Sequence, residues 1–593
     1  MNGRAGQPAG AGRSSRSLIL VLAIGLALGA FLRLFGLGGQ IPMDDEWHGL
    51  DFALTHDFWF LFTHFSRAGA NSVPYNLYLR AMLASFGWTE WSIALPSLLA
   101  GVGLLWMFPR WVWRRFGAVA ATVSAGLLAL APFLVFYSRV ARAYSVVLLL
   151  ECLALVALCE WLHTAERRRH VFGFVIFGAL AIWAHASALP AMCAATAAAA
   201  GYRFVQSRSA TQPRLPRAWH VAVAGLGMLG LAGALWLPAL WSPMPVMPLS
   251  PAHFSARTIL GVVELLSGTD AVSLQVAYLV VAGAGVVLAA RRAPLALLVW
   301  GAATGGSLLS VLVAHPNSSG VAGVFVRYLL PAFLLASLAI GVAVEAAVRV
   351  SSTRTRRHLL LGTALSFLIA LWAFGPLPRL YGATNSFTKH PAFQFDYAEH
   401  DPDLARPDPL ELDRAGRLSR SDLQPFYAAL SREPGDAPVI EYPFVLGENA
   451  NLLYFAQQVH GRPVLAGYYR SGAQDVDTFG LAAASRSPMD VRSPSPGYIM
   501  SGMTLDHVLG RSQNSNQIRF HTAVDIADSD AVSESRAAYL ILHWNLLREF
   551  YAIGPSEARS WFVHWIRRQL VVRYGAPFIE NEAIIVFRLS GRP

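Results

Sequence analysis

Three consecutive carboxylates, Asp44, Asp45 and Glu46, follow the first apolar run of the chain and precede His48. Like charges this close repel one another unless a cation or a basic partner compensates them. Carboxylates in such a place suit two functions: a general base that deprotonates an acceptor hydroxyl, or a ligand for a divalent cation that holds a phosphate. An ordinary solvated acidic loop is the alternative, and on this segment alone the three interpretations stay open.

A second segment, residues 137–145 (YSRVARAYS), carries Arg139 and Arg142 between two apolar runs, with Tyr144 beside them. A guanidinium group presents a fixed fork of donors that matches phosphate, so an anionic lipid headgroup is a natural partner. A structural ion pair with the acidic segment is the alternative, and the two interpretations do not exclude each other.

Two further positions interrupt apolar sequence with polar groups. His185 lies near the end of an apolar run, where it can bind a substrate or form a structural hydrogen bond. Arg327 and Tyr328 open a later apolar run, where they can hold an anion or anchor the helix at the membrane interface.

The composition indicates what must position these residues. Of the 593 residues, 54% are hydrophobic and only 14% are charged, and the mean hydropathy is +0.43. Soluble domains carry about 25% charged residues, so the chain is predicted to be a polytopic α-helical membrane protein. The net charge of +11 does not indicate nucleic acid, because the arginines form short clusters between apolar runs.

A membrane-spanning helix needs about 20 apolar residues, and the sequence predicts eleven of them. They are residues 17–36, 90–109, 118–137, 143–163, 171–187, 188–202, 219–239, 273–290, 295–314, 328–348 and 359–375. The runs 171–187 and 188–202 can also be read as one long tilted helix. Arginine clusters occupy alternate connections, which predicts a cytoplasmic N-terminus and an outside C-terminus.

The same topology divides the chain into two domains. Residues 1–375 form the predicted transmembrane domain, and its first outside loop, 37–89, carries the acidic segment. From residue 376 to 593 the composition is that of a soluble protein, with strand-like runs at 438–442, 538–543 and 583–589 between helical stretches. We therefore expect a C-terminal α/β domain outside the cytoplasm.

Several short motifs occur in the order and spacing of a known family. After the acidic pair come residues 71–80 (NSVPYNLYLR), 89–101 (TEWSIALPSLLAG) and 130–145 (LAPFLVFYSRVARAYS), and His185 follows. In this order the chain resembles the bacterial membrane glycosyltransferases of the GT-C fold, the group that includes protein mannosyltransferase-like and lipid A glycosyltransferase-like enzymes. The likeness is strongest over 41–190, and it departs from the family pattern at residues 71–74 and at Ala94.

The resemblance implies a function for each candidate residue. Asp45 would be the catalytic base, with Glu46 beside it, and Arg139, Arg142 and Arg327 would bind the donor phosphate. Asp44, His48, Tyr144, His185 and Tyr328 would contact substrate. Whether a divalent metal cation assists, as in some relatives, is left open by these residues.

The expected reaction moves a hexosyl or pentosyl group from a polyprenyl-phosphate donor to a hydroxyl on a lipid, polysaccharide or protein. It would take place at the outer face of a bacterial cytoplasmic membrane, with the donor and membrane lipid as partners and no nucleic acid. The alternative is a transporter or flippase of a lipid-linked saccharide, which would more often carry ionisable residues at mid-membrane. Glu151 and Glu345 are the main such residues in the predicted spans.

Overall fold

The computed structural model of the chain describes residues 11–35, 37, 46, 49, 52–53, 56–64, 72–85, 90–163, 167–207, 216–240, 255–314, 322–375, 377–378, 424–435, 437–442, 456, 460, 462, 464–468, 520–544 and 557–589. Asp44, Asp45 and His48 lie outside these residues.

The N-terminal part of the described chain is helical. Its helices are α1 Ala11–Leu34, α2 Phe58–Thr63, α3 Val73–Ser85, α4 Glu90–Phe116, α5 Ala118–Leu130, α6 Pro132–Arg139, α7 Tyr144–His163, α8 Arg167–Ala184, α9 Ala188–Ser207, α10 Ala218–Leu240, α11 Ala256–Ser267, α12 Val272–Arg292, α13 Pro294–Ala314, α14 Ala322–Val326, α15 Leu330–Val350 and α16 Arg354–Ala373. Each predicted span coincides with one of these helices or, for residues 118–137, with α5 and α6 in succession. The runs 171–187 and 188–202 are two helices, separated by residues 185–187.

By length and composition, six described helices can cross a membrane: α4, α7, α10, α12, α13 and α15. The bent pair of α5 and α6 makes a seventh. Large apolar side chains such as Leu226 and Val280 are exposed on these helices, as expected of surfaces that face lipid tails. The structure therefore confirms a polytopic helical membrane protein, while the count of eleven spans stays a prediction.

The 59° bend between α5 and α6 has an identifiable cause. Pro132 has no backbone N–H, so the carbonyl of Leu128 loses the donor that an uninterrupted helix would supply. Arg33, which is buried in α1, donates from Nη2 to this carbonyl at 3.1 Å and from Nε to Ser138 Oγ at 3.1 Å. Arg33 thus supplies the donor that is missing at the break, and it joins α1 to both α5 and α6.

We expect Arg33→Met to destabilise the protein by about 1–3 kcal/mol, because it leaves the Leu128 carbonyl buried without a donor. In the double variant Arg33→Met/Pro132→Ala, the new backbone N–H of residue 132 becomes available to the Leu128 carbonyl. The changes in stability caused by the two single substitutions should therefore not add. Thermal unfolding of the purified protein in detergent measures both, with the exposed Arg110→Met as the control. Full additivity of the two single variants would contradict this account of the bend.

Glu345, one of the two carboxylates predicted inside spans, has a structural function. Its Oε2 accepts from the backbone N–H groups of Val119 and Ala120 at 3.0 and 3.1 Å, and its Oε1 accepts from Arg349 Nε at 2.6 Å. The carboxylate therefore caps the N-terminus of α5, where it also complements the positive end of the helix dipole. Gly117 precedes this helix at φ +118°, and a Cβ there would lie 2.7 Å from the Glu345 carboxylate, so only glycine fits.

The C-terminal part of the described chain contains a six-stranded sheet. Its elements are α17 Pro425–Leu430, β1 Val439–Tyr442, β2 Val464–Tyr468, β3 Phe520–Asp525, α18 Ser529–Glu534, β4 Tyr539–His543, α19 Glu557–Tyr574, β5 Ile579–Glu580 and β6 Ile584–Arg588. The strand order is β3-β2-β1-β4-β6-β5, with β3, β2, β1 and β4 parallel and the last two strands antiparallel to their neighbours. The predicted α/β architecture of this region is confirmed, and all three predicted strands are present as β1, β4 and β6.

A buried polar cluster lies on the two central strands of this sheet. Glu441 accepts from the Tyr427 hydroxyl at 3.0 Å and lies 2.6 Å from His543 Nε2, and all three side chains are buried. Burial, together with the Glu441 carboxylate, raises the pKa of Tyr427 well above its usual value. His460 stacks on the Tyr427 ring, and burial, with a smaller contribution from Arg462, lowers its pKa to about 4. These hydrogen bonds satisfy a carboxylate that would otherwise be costly to bury.

Candidate functional site

Two hydroxyl groups, of Ser97 and Tyr75, hold the loop between α6 and α7, residues 140–143. The Ser97 hydroxyl of α4 donates to the backbone carbonyl of Arg142 at 2.6 Å. The Tyr75 hydroxyl lies 3.1 Å from Ser97 Oγ and 2.9 Å from the carbonyl oxygen of Ile93. Burial, with a smaller contribution from the Glu46 carboxylate, raises the pKa of Tyr75, so this hydroxyl stays protonated as a donor. Arg142 is therefore presented on a loop whose backbone is fixed.

Glu46 ties the acidic segment to the same loop. Its carboxylate is buried, and Oε1 accepts from the backbone N–H of Ala141 at 2.5 Å. A hydrogen bond to a charged acceptor is short and strong, so it fixes the chain next to Arg142. The acidic segment and the arginine segment, which lie far apart in the sequence, thus meet at one place.

Arg139 contacts the end of a helix. Its Nη1 donates to the carbonyl oxygens of Leu32, Arg33 and Phe35 at 3.1, 3.3 and 2.6 Å. Leu32 and Arg33 belong to the last turn of α1 and Phe35 directly follows it. Carbonyls at a helix C-terminus have no intrahelical donor, and a cation there complements the negative end of the helix. The structure thus gives Arg139 a capping function.

Tyr144 lies between two guanidinium groups. The Cζ atoms of Arg142 and Arg327 are 5.9 and 5.7 Å from the centroid of its ring, and Arg327 is also 5.9 Å from the Tyr328 ring. Cations at these distances are attracted by the face of an aromatic ring. Two buried guanidinium groups thus lie beside one aromatic ring. Arg142 and Arg327 are separated by eight helices of the described chain, so only the fold brings them together.

His185 completes the cluster from the loop between α8 and α9. Its ring is 5.4 Å from that of Tyr144 and 6.2 Å from that of Tyr328. The backbone N–H of Ser187 donates to Nδ1 at 3.2 Å. An accepting Nδ1 leaves the proton of the neutral ring on Nε2. This Nε2 is buried and has no hydrogen-bond partner among the described residues.

A pocket opens at this cluster. The described residues that line it are Gly49, Ser72, Tyr75, Asn76, Ala141, Arg142, Ala143, Tyr144 and His185. Ser72 Oγ is a second buried polar atom there without a hydrogen-bond partner in the described chain. Buried polar atoms normally have partners, so Ser72 Oγ and His185 Nε2 are the two polar atoms of this pocket that could still accept one.

The structure thus brings five predicted site residues together: Arg142, Tyr144, His185, Arg327 and Tyr328. The Glu46 carboxylate binds the backbone N–H of Ala141, in the loop that carries Arg142. Asp44, Asp45 and His48 lie outside the described residues. Ser72 and Asn76 were not predicted as site residues. The departure from the family pattern at residues 71–74 is the signal that could have identified this stretch as specific to this protein.

The described residues contain no group of three or more His, Cys, Asp or Glu side chains arranged to hold a metal ion. Asp44, Asp45 and His48 are not among the described residues, so a divalent cation at the acidic segment stays a prediction.

Solved structures with a similar fold give an independent comparison. ArnT from Cupriavidus metallidurans in the apo state is similar over 97% of this chain and 98% of its own, with 12% sequence identity and a TM-score of 0.52. The same protein bound to undecaprenyl phosphate is similar over the same shares, with 13% identity and a TM-score of 0.48. The archaeal oligosaccharyltransferase AglB from Archaeoglobus fulgidus, in complex with an inhibitory peptide and a dolichol-phosphate, covers 91% of this chain and 71% of its own, at 12% identity and a TM-score of 0.47.

No protein-family model matches the chain, and no curated protein matches it in sequence. The likeness to ArnT extends over nearly the whole length of both chains, and at this identity it concerns the fold. It confirms the GT-C fold that the motifs between residues 41 and 190 predicted.

Proposed function

We propose that this protein is a glycosyltransferase that moves a sugar from a polyprenyl-phosphate donor to a hydroxyl group of an acceptor. The observation that carries the proposal is the arrangement of Arg142, Arg327 and His185 around Tyr144, at a pocket lined by Ala141, whose backbone N–H binds the Glu46 carboxylate. Two guanidinium groups and an N–H donor match the oxygens of a phosphate. The GT-C fold supports the same reaction class.

The chemistry assigns one task to each group. Asp45 takes the proton from the acceptor hydroxyl while the oxygen attacks the anomeric carbon. The bond from that carbon to the phosphate oxygen breaks, and the polyprenyl phosphate leaves with the electron pair. Arg142 and Arg327 stabilise the charge that develops on the leaving phosphate, and His185 Nε2–H donates to it. Attack from the side opposite to the phosphate inverts the anomeric carbon.

The experiment that tests this proposal uses the purified chain in lipid nanodiscs. Polyprenyl-phosphate hexoses and pentoses are supplied one at a time with a membrane extract of acceptors, and the release of polyprenyl phosphate is measured. Release that depends on both donor and acceptor supports a transferase. Movement of an intact donor across the bilayer without cleavage would support the flippase alternative. As an ionisable residue in a predicted span, Glu345 could have favoured a flippase, but its carboxylate caps α5 and so has a structural function.

The position of the C-terminal domain is part of the same proposal. A donor pocket at the outer ends of the helices requires residues 376–593 to lie outside the cytoplasm, as the alternation of arginine clusters predicts. A reporter that is active only in the cytoplasm should be silent when fused after Pro593 and active when fused within residues 208–215. Strong activity after Pro593 would overturn the count of eleven spans and the outside position of residues 376–593.

A further inference from the structure

A second cavity lies at the other end of the helix bundle. Helix α7 joins the two places: it begins at Tyr144 in the candidate site and ends at His163 in this cavity. Its 20 residues correspond to about 30 Å of helix, which is the thickness of the hydrocarbon core. The cavity therefore opens at the opposite membrane face from the candidate site, where the arginine clusters predict the cytoplasm.

The floor of this cavity is apolar and its rim is cationic. Trp111, Phe116 and Leu295 are buried at the floor, whereas Arg115 and Arg292 are exposed at the rim. An apolar floor beneath a basic rim matches a phospholipid, whose acyl chains and glycerol enter below its charged headgroup. Basic pockets between membrane helices are known sites for anionic headgroups.

The two rim arginines differ in their charge balance. Arg115 donates from Nε to Glu160 Oε1 at 2.7 Å, and the same carboxylate accepts from Trp111 Nε1 at 3.0 Å, so its charge is compensated. Arg292 forms no ion pair with any residue that the structure describes, which leaves the rim with a net positive charge. The first backbone N–H groups of α13, at Leu295 and Ala296, also belong to the cavity wall and add the positive end of the helix dipole.

We propose that this cavity binds the headgroup of one anionic phospholipid of the adjacent leaflet. Arg292 contacts the phosphate, Trp111 and Phe116 pack against the glycerol and upper acyl carbons, and the Arg115–Glu160 pair forms a fixed wall. Such a lipid would fill the space between α4, α7, α9, α12 and α13 and hold their ends together. This site is independent of the sugar donor and of the transfer reaction.

The test uses the intact protein and two neighbouring arginines. Arg292→Gln removes the cationic group at the cavity, and Arg291→Gln makes the same change of charge at a residue that does not line it. Native mass spectrometry from nanodiscs of phosphatidylglycerol mixed with phosphatidylcholine counts the lipids that each variant retains. We expect the wild type and Arg291→Gln to retain one phosphatidylglycerol, and Arg292→Gln to bind it about fivefold more weakly.

Four outcomes would overturn the proposal. Equal retention by both variants would show that Arg292 does not hold the lipid, and equal loss by both would show diffuse surface attraction. Retention of phosphatidylcholine as strongly as phosphatidylglycerol would exclude a site for anionic headgroups. Titration with inorganic phosphate separates the sources of the ligand: binding of the free ion by a protein that retains no phosphatidylglycerol would also contradict a lipid site. Arg292→Lys should recover part of the affinity, because it keeps the charge without the planar fork.

Discussion

Replacing Asp45 by Asn should abolish most sugar transfer, by a factor on the order of 10² to 10⁴, while the protein still folds and still binds the polyprenyl-phosphate donor. An amide has nearly the shape of the carboxylate but does not accept the proton of the acceptor hydroxyl. The measurement is release of polyprenyl phosphate at saturating donor and acceptor, together with the affinity for the donor. The turnover number should fall with little change in donor affinity, since the loss falls on the transition state.

Asp44→Asn is the matched control, because it makes the same change one residue earlier. We expect it to reduce turnover far less. An inactive Asp44→Asn with a near-normal Asp45→Asn would move the catalytic function to Asp44, and normal transfer by both would remove the acidic segment from the mechanism. Repeating the assay with a chelator and with added divalent cations tests the predicted metal, and a dependence that either aspartate variant loses would identify its ligands.

Glu46 should behave differently from its neighbour, because the structure gives its carboxylate a backbone partner. Gln at this position keeps an oxygen that accepts from the Ala141 N–H, whereas Ala leaves that buried donor without a partner. Glu46→Gln is therefore expected to keep more activity than Glu46→Ala. The difference between the two reports on the positioning of the loop that carries Arg142.

The sequence was sufficient for the parts of the fold that depend on local periodicity and composition. Apolar runs located the membrane-domain helices to within about seven residues at each end, and apolar strand-like runs located β1, β4 and β6. The strands β2 and β3 were missed, because VLAGY contains a glycine and FHTAVD alternates weakly. The pairing of β2 with β1, and of β3 with β2, decides their conformation. The bend at Pro132 likewise depends on Arg33, which lies about one hundred residues away in the sequence.

The candidate site shows the same division. Residue types and spacing identified Arg142, Tyr144, His185, Arg327 and Tyr328 one by one, and the fold alone places both guanidinium groups on one ring. The sequence did not distinguish Arg139 from Arg142, which lie three residues apart. Arg139 caps α1, and Arg142 lines the pocket together with His185. The two differ because α6 ends at Arg139, whereas Arg142 belongs to the loop that follows. Ser72 and Asn76 were missed, because their residue types alone do not indicate a site and only the departure from the family pattern at residues 71–74 pointed to this stretch.

The two arginines beside Tyr144 should therefore dominate donor affinity. Arg142→Ala and Arg327→Ala each remove a charge-assisted hydrogen-bonding group worth about 1.5–3 kcal/mol, so the Kd for polyprenyl phosphate should rise by roughly tenfold to more than a hundredfold. Lysine should restore only part of this, since it lacks the bidentate fork. Arg110→Ala is the control for the loss of a positive charge. This exposed arginine lies near the C-terminal end of α4, away from Ser97 and the candidate site.

Arg139→Ala separates the two functions that its position allows. Loss of the cap should lower the thermal stability of the protein, because the carbonyls of Leu32 and Phe35 lose their donor. If Arg139 also binds the phosphate, as the family resemblance implies, the Kd rises in Arg139→Ala as it does in Arg142→Ala. A stability loss with unchanged Kd would limit Arg139 to the cap, and unchanged Kd in Arg142→Ala would remove the phosphate from this pocket. Binding of polyprenyl phosphate to each purified variant in nanodiscs, measured beside its unfolding temperature, gives both quantities from one preparation.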